Sequence, residues 1–209
     1  ALVRGRLNSL LRRQGHRSFR EYLEAVETDT TGNQLLDLID RISTNHSYFF
    51  READHFDHLA SSALPRINEM MKRSGADRLR VWSAGCAAGE EAYTLAMVLS
   101  EYIKNNRPAW DFDILATDIS TSAIEQAQNA VYSETKISPV PEQHKKHFNK
   151  LEDGNYELSN SIKKRVLFKR LNLMREDFPF KSKFHVVFCR NVMIYFDQTT
   201  KTQVVGRIA

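Results

Sequence analysis

Cysteine, glycine and proline are all scarce in this sequence. Its 209 residues include 2 cysteines, 8 glycines and 5 prolines. The low glycine and proline contents exclude collagen-like and low-complexity chains. Neither Cys86 nor Cys189 has a second cysteine or a histidine at the spacing of a metal site. We therefore expect two buried, reduced thiols, not a disulfide, in a cytoplasmic protein that holds no metal.

Long apolar runs are also missing. The two strongest, HVVFC at 185–189 and NVMIYF at 191–196, are short and end at Arg190 and Asp197. A membrane-spanning helix needs about 20 predominantly apolar residues, so we expect no membrane insertion. A hydrophobic content of 42% with 27% charged residues is typical of a globular chain, here large enough for one α/β domain and a small helical unit.

Acidic residues are absent from the first twenty positions, although the whole chain carries a formal net charge of only +4. The same positions hold six arginines, which are Arg4, Arg6, Arg12, Arg13, Arg17 and Arg20. Such a run is either a solvated helix face or a docking surface for an acidic partner. We expect no nucleic-acid binding, because the sequence has no basic groove interleaved with aromatic residues.

The hydrophobic pattern has two periods, and they divide the chain. Apolar residues at helical spacing predict helices in 1–26, around 35–42 and in 54–72, with a break or a new start at Pro65. From Leu79 onward, strand-like runs alternate with helical segments. The predicted strands lie at 79–86, 112–119 and 166–173 and within 184–196, and the predicted helices at 90–104 and 120–130.

Strands that alternate with helices predict an α/β fold with a parallel, doubly wound sheet. We expect an N-terminal helical domain and linker at 1–52 and the α/β domain at 53–209. Residues 132–165 interrupt the alternation and are too many for one crossover loop, so we expect a small inserted subdomain there. The linker, residues 43–52, is first polar and then aromatic.

Two motifs place ligand-binding groups at the ends of the first two predicted strands. In VWSAGCAAGEEAY (81–93), Gly85 and Gly89 allow a sharp turn and a close backbone approach before a helix N-terminus. Asp118 ends the next strand, where a carboxylate can accept both hydroxyls of a ribose. A turn without a ligand, and an N-cap by Asp118 or Ser120, are the simpler explanations. Together the motifs favour a nucleoside cofactor across the carboxyl ends of the strands.

Further polar residues follow the third and fourth predicted strands. Asn172 could bind an adenine amine with Leu173 packed on the ring, although this dipeptide alone is uninformative. Arg190 and Asn191 interrupt an otherwise apolar run, and their polar groups need partners. A ligand and a structural salt bridge for Arg190 are equally consistent with the pattern.

Four segments together resemble the CheR family, whose members use S-adenosylmethionine to methylate glutamate side chains on chemotaxis receptors. In the family's order they are STNHSYFFRE (43–52), VWSAGCAAGEEAY (81–93), ATDIS (116–120) and FCRNVMIYF (188–196). The resemblance implies a Rossmann-like methyltransferase fold with a small all-α N-terminal domain and a β-subdomain at 132–165. It implies S-adenosylmethionine as the cofactor and S-adenosylhomocysteine as its product. The family's sheet has three more strands, so we expect the C-terminal strands to be missing here.

The resemblance also assigns roles to individual residues. Arg51 and Tyr195 match positions near the methyl-transfer centre and are the candidate catalytic residues. The candidate cofactor-binding residues are Asn45, Ser47, Arg51, Gly85, Glu91, Asp118, Asn172, Leu173, Asn191 and Val192. The implied partner is the cytoplasmic helical region of methyl-accepting chemotaxis receptors, docked by the basic N-terminal helices.

Two other functions stay open beside this one. Ala87 and Ala88 replace the family's usual Ser and Thr, which removes hydroxyls near the cofactor. This loss, together with the C-terminal strands that we expect to be missing, supports a non-catalytic cofactor-binding or signalling module. A methyltransferase that acts on another substrate is the second alternative. Ser47 stands where the family usually has Thr and keeps the hydroxyl, and Ala92 stands where the family usually has Pro. A nicotinamide dehydrogenase is disfavoured, because the glycine spacing departs from G-x-G-x-x-G.

Overall fold

The computed structural model describes residues 2–208, without the side chains of residues 2–4, 9, 12 and 13. The first elements are three helices, α1 (Leu2–Gln14), α2 (Phe19–Thr28) and α3 (Asn33–Ile42). Helices α1 and α2 pack through an apolar cluster in which Leu10 and Tyr22 are fully buried. Ser18 caps α2 by accepting a hydrogen bond from the Glu21 backbone N–H at 3.1 Å.

A longer helical stretch follows the linker and stays helical through Pro65. It consists of α4 (Asp54–His58), a π-helical segment (Leu59–Ala63) and α5 (Leu64–Ser74). Proline lacks a backbone N–H and its ring crowds the carbonyl four residues earlier, so an α-helix would break there. The wider π-helical turn directly before Pro65 accommodates this defect, because its hydrogen bonds span five residues. The predicted break is therefore a change of helix type within one continuous helix.

The remaining elements alternate between strands and helices. In chain order they are β1 (Arg78–Ala84), α6 (Glu90–Asn106), β2 (Asp111–Asp118), α7 (Thr121–Asn129), β3 (Val131–Tyr132), α8 (Glu134–Ile137), α9 (Glu142–Lys145), β4 (Phe148–Lys150), β5 (Tyr156–Leu158), α10 (Asn160–Lys163), β6 (Val166–Arg170), β7 (Val186–Phe188), a 3₁₀ turn (Met193–Tyr195) and α11 (Gln198–Ile208).

Four parallel strands form the central sheet, in the order β6-β2-β1-β7. The chain runs outward from β1 through β2 to β6 and then returns to the other side of β1 with β7. The strand order therefore reverses between β1 and β7. In doubly wound sheets, ligands bind outside the carboxyl ends of the strands at such a switch point. The predicted Rossmann-like α/β fold is confirmed.

Both faces of the sheet are covered by apolar side chains. Successive residues of β1 point to opposite faces and so pack into two different clusters. Val81 belongs to the larger core, which includes Leu95 and Leu99 of α6. Trp82 points to the opposite face, where the rings of Phe178, Phe180 and Phe184 lie 4.9–5.6 Å from it. A strand buried on both faces reads as a continuous apolar run, which is how β1 appears in the sequence.

A second, antiparallel sheet of three strands lies between α7 and β6, in the order β3-β5-β4. It has no separate core: Tyr132 and Phe148 belong to the same apolar cluster as the central sheet. The ring of Phe49, from the linker, packs edge-on against both, at centroid distances of 4.9 and 5.3 Å. The predicted domain boundaries themselves stay predictions.

The third and fourth strands predicted from the sequence correspond to β6 and β7, and both are shorter than predicted. Strand β6 ends at Arg170, and Leu171 and Leu173 are apolar because they pack with Trp82 beneath the sheet, not because they extend the strand. Strand β7 covers only Val186–Phe188. Both cysteines are free thiols and each follows a strand instead of lying within one. Cys86 is buried as predicted, but Cys189 is only partly buried.

Residues 2–208 contain no helix that is long and apolar enough to cross a membrane. The described side chains also include no group of three or more His, Cys, Asp or Glu residues arranged to hold a metal ion.

Candidate active site

A cavity of about 590 Å³ opens at the carboxyl ends of β1, β2, β6 and β7, next to the switch point of the sheet. It brings together all eleven residues that the sequence singles out as catalytic or cofactor-binding. They are Asn45, Ser47, Arg51, Gly85, Glu91, Asp118, Asn172, Leu173, Asn191, Val192 and Tyr195. Their individual roles stay predictions, since lining a common cavity does not assign chemistry to a side chain.

The glycine turn after β1 is shaped by close contacts. The N–H groups of Gly85 and Cys86 both donate to the Thr117 carbonyl, at 2.7 and 3.0 Å. Gly85 has φ +85°, and a Cβ at this position would lie 2.2 Å from Cγ2 of Val192. Only glycine therefore allows the turn after β1 to approach the segment after β7.

Asp118 closes the same turn through its carboxylate. One oxygen accepts from the Ala87 backbone N–H at 2.8 Å, and the other from the Ser120 N–H at 3.0 Å. The N-cap of α7 is Ser120, whose hydroxyl accepts from Ala123 N–H at 3.1 Å, so Asp118 is free of that role. Burial raises the pKa of Asp118, and the backbone hydrogen bonds oppose this rise. A carboxylate has about four acceptor positions, so about two remain for a ligand.

Arg190 connects the turn to the linker. Its guanidinium donates to Glu91 Oε2 at 3.3 Å and to Glu52 Oε2 at 3.0 Å. It lies over the rings of Phe56 and Phe188, with Cζ 5.2 and 5.9 Å from their centroids. The structural salt bridge that the sequence left open for Arg190 is thus present, and the residue lines the cavity as well.

Glu91 is the acid that faces Arg190, with its side chain only 13% exposed. Its Oε1 accepts from the Ser83 hydroxyl at 2.7 Å, and its Oε2 from Arg190. Burial raises the pKa of Glu91, while the Ser83 hydrogen bond and the positive charge of Arg190 lower it. The Nε–H of Arg190 is buried and has no hydrogen-bond partner among the described residues. The cavity wall therefore combines the carboxylate of Glu91 with the guanidinium of Arg190.

The linker forms one side of the cavity. Asn45 Nδ2 donates to Ser120 Oγ at 3.2 Å, which ties the linker to the start of α7. Arg51 Nη1 donates to the His46 carbonyl at 3.0 Å, and its Cζ lies 5.8 Å from the centroid of the Tyr48 ring. These contacts hold the Arg51 guanidinium beside the cavity with its side chain about a quarter exposed.

Segments after β6 and β7 form the opposite side. Asn172 Oδ1 accepts from the Met174 N–H at 2.9 Å, an arrangement that leaves its amide NH₂ for other partners. Asn191 has a left-handed backbone, φ +57°, and its Nδ2 donates to Glu52 Oε1 at 3.1 Å. Tyr195 lies in the 3₁₀ turn with 62% of its surface exposed, at the mouth of the cavity.

Sequence reasoning missed two kinds of residue. Glu52 is not among the predicted site residues, yet it binds both Arg190 and Asn191. Its place at the end of the 43–52 motif is the only signal for it in the sequence. Several apolar side chains at the cavity were missed too, because nothing distinguishes them from surface hydrophobics: Ile42, Tyr48, Met174 and Ile194.

The cavity suits an S-adenosyl group in the chemistry of its side chains. Asp118 has acceptor positions left for a ribose diol, and Ile119, Leu171 and Leu173 supply apolar surface for a base. The amino-acid end of the cofactor carries an ammonium and a carboxylate. Glu91 offers a carboxylate for the first, and the guanidinium of Arg190, which lines the cavity, carries the positive charge that suits the second.

Comparisons with known proteins agree with this chemistry. The family model described as CheR methyltransferase, SAM binding domain, matches residues 45–209. A chemotaxis protein methyltransferase of Borreliella burgdorferi is 47% identical over 207 residues, which are 99% of this chain and 73% of that protein. A probable chemotaxis protein methyltransferase of Rhizobium etli is 35% identical over 100% of this chain and 78% of its own length. The chemotaxis protein methyltransferase of Escherichia coli is 33% identical over 99% of this chain and 70% of its own. The chain belongs to the CheR family of methyltransferases.

Proposed function

We propose that this protein transfers a methyl group from S-adenosylmethionine to glutamate side chains of methyl-accepting chemotaxis receptors, with S-adenosylhomocysteine as the second product. The observation that carries the proposal is the single cavity at the switch point, which collects every residue that the family resemblance implies. Membership of the CheR family gives the reaction type, and the names of the relatives give the substrate class.

Within this proposal the buried acids bind the cofactor. Asp118 accepts the ribose hydroxyls, and Glu91 binds the amino-acid end. Asn172 presents its free amide NH₂ to the adenine, and Leu173 packs against the ring. Val192 and Asn191 close the cavity opposite the glycine turn, where Val192 meets Gly85.

The reaction needs no general base. When bound, S-adenosylmethionine supplies a methyl group that is already electrophilic because it is attached to a sulfonium. A glutamate side chain has a pKa of about 4.3, so it is already an anion at neutral pH. What the protein contributes is alignment of the two groups, which supplies roughly 7–11 kcal/mol in favourable cases. Arg51 holds the substrate carboxylate in line, and Tyr195 orients its second oxygen from the mouth of the cavity.

Not all six arginines of the first twenty residues are assigned to the proposed receptor-docking surface. Arg6 donates to the carbonyls of Ile42 and Ser43 at 2.9 and 3.1 Å, so it fastens α1 to the start of the linker. Arg17 and Arg20 are exposed. Arg20 makes only a long ion pair, with its Nε 3.9 Å from Oε1 of Glu24. The side chains of Arg4, Arg12 and Arg13 lie outside the described ones. Arg17 and Arg20 are therefore the residues that we assign to docking.

The test of the function has two steps. A calorimetric titration with S-adenosylhomocysteine is expected to give micromolar binding, and Asp118→Ala is expected to abolish it. A methyl-transfer assay on a receptor cytoplasmic fragment then measures base-labile methyl ester. Binding without methyl transfer would support the non-catalytic module instead, and transfer of a labelled methyl group to nucleic acid or a small molecule alone would support another substrate.

The non-catalytic alternative is not favoured. The part of its support that lies in the cofactor site is the loss of the hydroxyls at Ala87 and Ala88. In the turn, however, it is the backbone N–H of Ala87 that binds Asp118, at 2.8 Å, and the Ala88 carbonyl that accepts from Tyr132 Oη, also at 2.8 Å. The contacts that shape the turn thus come from the main chain and do not need the missing hydroxyls.

Docking is tested separately by charge reversal. Arg17→Glu with Arg20→Glu is expected to lower the methylation rate of the receptor fragment while leaving S-adenosylhomocysteine affinity unchanged. The matched control is Arg66→Glu with Arg73→Glu, which reverses two exposed charges on α5. Equal losses in both double variants would mean that only net charge matters and would contradict a docking surface on the N-terminal helices.

A further inference from the structure

The linker, residues 43–52, contains no helix or strand, yet it supplies a large part of the cavity wall. A segment without secondary structure has to find partners for its backbone groups elsewhere. The aromatic half of the linker is attached at two points, one through a side chain and one through the backbone. Phe49 packs between Tyr132 and Phe148, and the Phe50 N–H donates to Thr94 Oγ1 at 3.2 Å.

Besides the contacts of Ser43 and Asn45 described above, the polar half of the linker is attached at Ser47 through a lysine from the inserted region. Lys136 lies in α8, and its Nζ donates to the Ser47 carbonyl at 2.5 Å. The same ammonium lies 2.6 Å from Glu90 Oε1. A lysine has three donors and no acceptor, so one side chain can serve both groups at once. Ser47 is two residues from Asn45 and four from Arg51, both of which line the cavity.

Glu90, the second partner of Lys136, is a buried acid that needs a positive charge beside it. It is the first residue of α6, between Gly89 of the turn and Glu91 of the cavity, and it is fully buried. Its Oε2 has no hydrogen-bond partner among the described residues. The Lys136 ammonium therefore compensates a buried charge, and at the same time it fixes the linker relative to the turn that carries the cofactor-binding acids.

We propose that Lys136 is a positioning residue for the cofactor site: its ammonium, placed by Glu90, holds the Ser47 carbonyl and so sets where Asn45, Ser47 and Arg51 stand. The proposal rests on the proposed function. By this contact the inserted region contributes to cofactor affinity, although none of the residues 132–165 lines the cavity.

A purely structural role for Lys136 would make the same contacts, so the experiment has to separate the two. Lys136→Met keeps the aliphatic chain but leaves Glu90 as an uncompensated buried charge. Adding Glu90→Gln removes that charge, while the Ser47 carbonyl stays without its donor. The readouts are the urea midpoint of unfolding, S-adenosylhomocysteine affinity by calorimetry, and the KM for S-adenosylmethionine against kcat.

Lys136→Met is expected to lower both the urea midpoint and the affinity. In Lys136→Met/Glu90→Gln the midpoint is expected to recover, while S-adenosylhomocysteine affinity stays weaker than wild type by at least about tenfold. KM is expected to rise more than kcat falls, because the defect lies in cofactor placement. The matched control is Lys163→Met, whose Nζ pairs with Glu157 Oε1 at 2.7 Å within the inserted region and does not touch the linker. It is expected to keep wild-type affinity.

Two results would overturn the proposal. One is recovery of both stability and affinity in the double variant, which would leave Lys136 with charge compensation alone. The other is an equal loss of affinity in Lys163→Met, which would point to general disturbance of the inserted region. Wild-type binding of S-adenosylhomocysteine is measured first: its absence would overturn the proposed function and this inference with it, whereas wild-type binding with unchanged affinity in the double variant would overturn the inference alone.

Discussion

Gly85 and Val192 lie so close that no side chain fits between them: a Cβ on Gly85 would be 2.2 Å from Val192 Cγ2. The two residues follow β1 and β7, the strands on either side of the switch point. Their contact sets the distance between the two halves of the cavity. The requirement for glycine here is thus one of space as well as of backbone conformation.

Gly85→Ala is expected to weaken S-adenosylhomocysteine binding strongly and to destabilise the protein. The control is Gly154→Ala, because Gly154 has nearly the same φ, +84° against +85°, and no atom within 4 Å of an added Cβ. A left-handed backbone at a non-glycine residue costs about 1–2 kcal/mol, which is the expected loss for Gly154→Ala. Gly85→Ala is expected to cost more, because Val192 has to move. Urea unfolding and calorimetry measure both effects, and equal behaviour of the two variants would contradict the close-contact explanation.

Arg190→Met is expected to destabilise the protein by about 3–5 kcal/mol in urea unfolding, because it leaves the carboxylate of Glu91 buried without its cation. The side chains of Arg190 and Glu91 are only 11% and 13% exposed. Arg78→Met is the matched control, since the pair of Arg78 and Asp113 has a similar separation of 3.1 Å with both side chains about half exposed. The expected cost of the control is about 0–1 kcal/mol. A small loss in Arg190→Met would mean that water compensates Glu91.

The parts of the site that follow local rules could be predicted from the sequence. Apolar runs ending in glycine or aspartate predict β1 and β2, and the carboxyl ends of parallel strands meet at one edge of the sheet. Asp118 and the turn around Gly85 could therefore be expected to lie together. The roles of Arg51 and Tyr195 came only from the family resemblance, since no spacing rule identifies them.

The other parts depend on contacts between distant residues. Glu52 binds Arg190 across 138 positions, and Lys136 pairs with Glu90 across 46. No periodicity encodes such pairs, so a fully buried Glu90 could not be expected from its place at a helix start. Leu171 and Leu173 are a further case: their apolar character predicts a longer strand, whereas in the structure it reflects packing with Trp82.

His144→Phe is expected to make the free energy of unfolding less dependent on pH below about 6.5. Burial lowers the pKa of His144 from its ordinary 6.5, and the nearby charge of His147 lowers it further. The unfolded chain therefore binds a proton as the pH falls through 6.5 while the folded protein does not, so stability falls from there until the pH passes the lowered pKa. Phenylalanine keeps the stack on Phe50, whose ring centroid is 4.9 Å away.

Urea titrations at several pH values compare the two proteins. The slope for His144→Phe is expected to be smaller than that of wild type by up to about 1.4 kcal/mol per pH unit below 6.5. Parallel curves would show that His144 binds its proton equally well in the folded and unfolded states and would contradict the effect of burial.

Arg51→Ala is expected to lower kcat for receptor methylation by about 100-fold, the effect of misplacing a reacting group by about 1 Å. Arg51 borders the cavity with its guanidinium held by the His46 carbonyl and the Tyr48 ring. If it aligns the substrate carboxylate, its loss leaves both reactants bound but out of line. The methyl-ester assay measures kcat, and calorimetry with S-adenosylhomocysteine is expected to show little change.

Arg51→Lys separates charge from geometry. A lysine keeps the positive charge but has no planar pair of donors for the two oxygens of a carboxylate. If alignment is the role of Arg51, the lysine variant recovers substrate affinity without recovering kcat. Full kcat in Arg51→Lys would reduce the role to charge attraction, and full activity in Arg51→Ala would remove Arg51 from the mechanism. A large loss of S-adenosylhomocysteine affinity in both variants would instead make Arg51 a cofactor ligand, since the substrate is absent from that measurement.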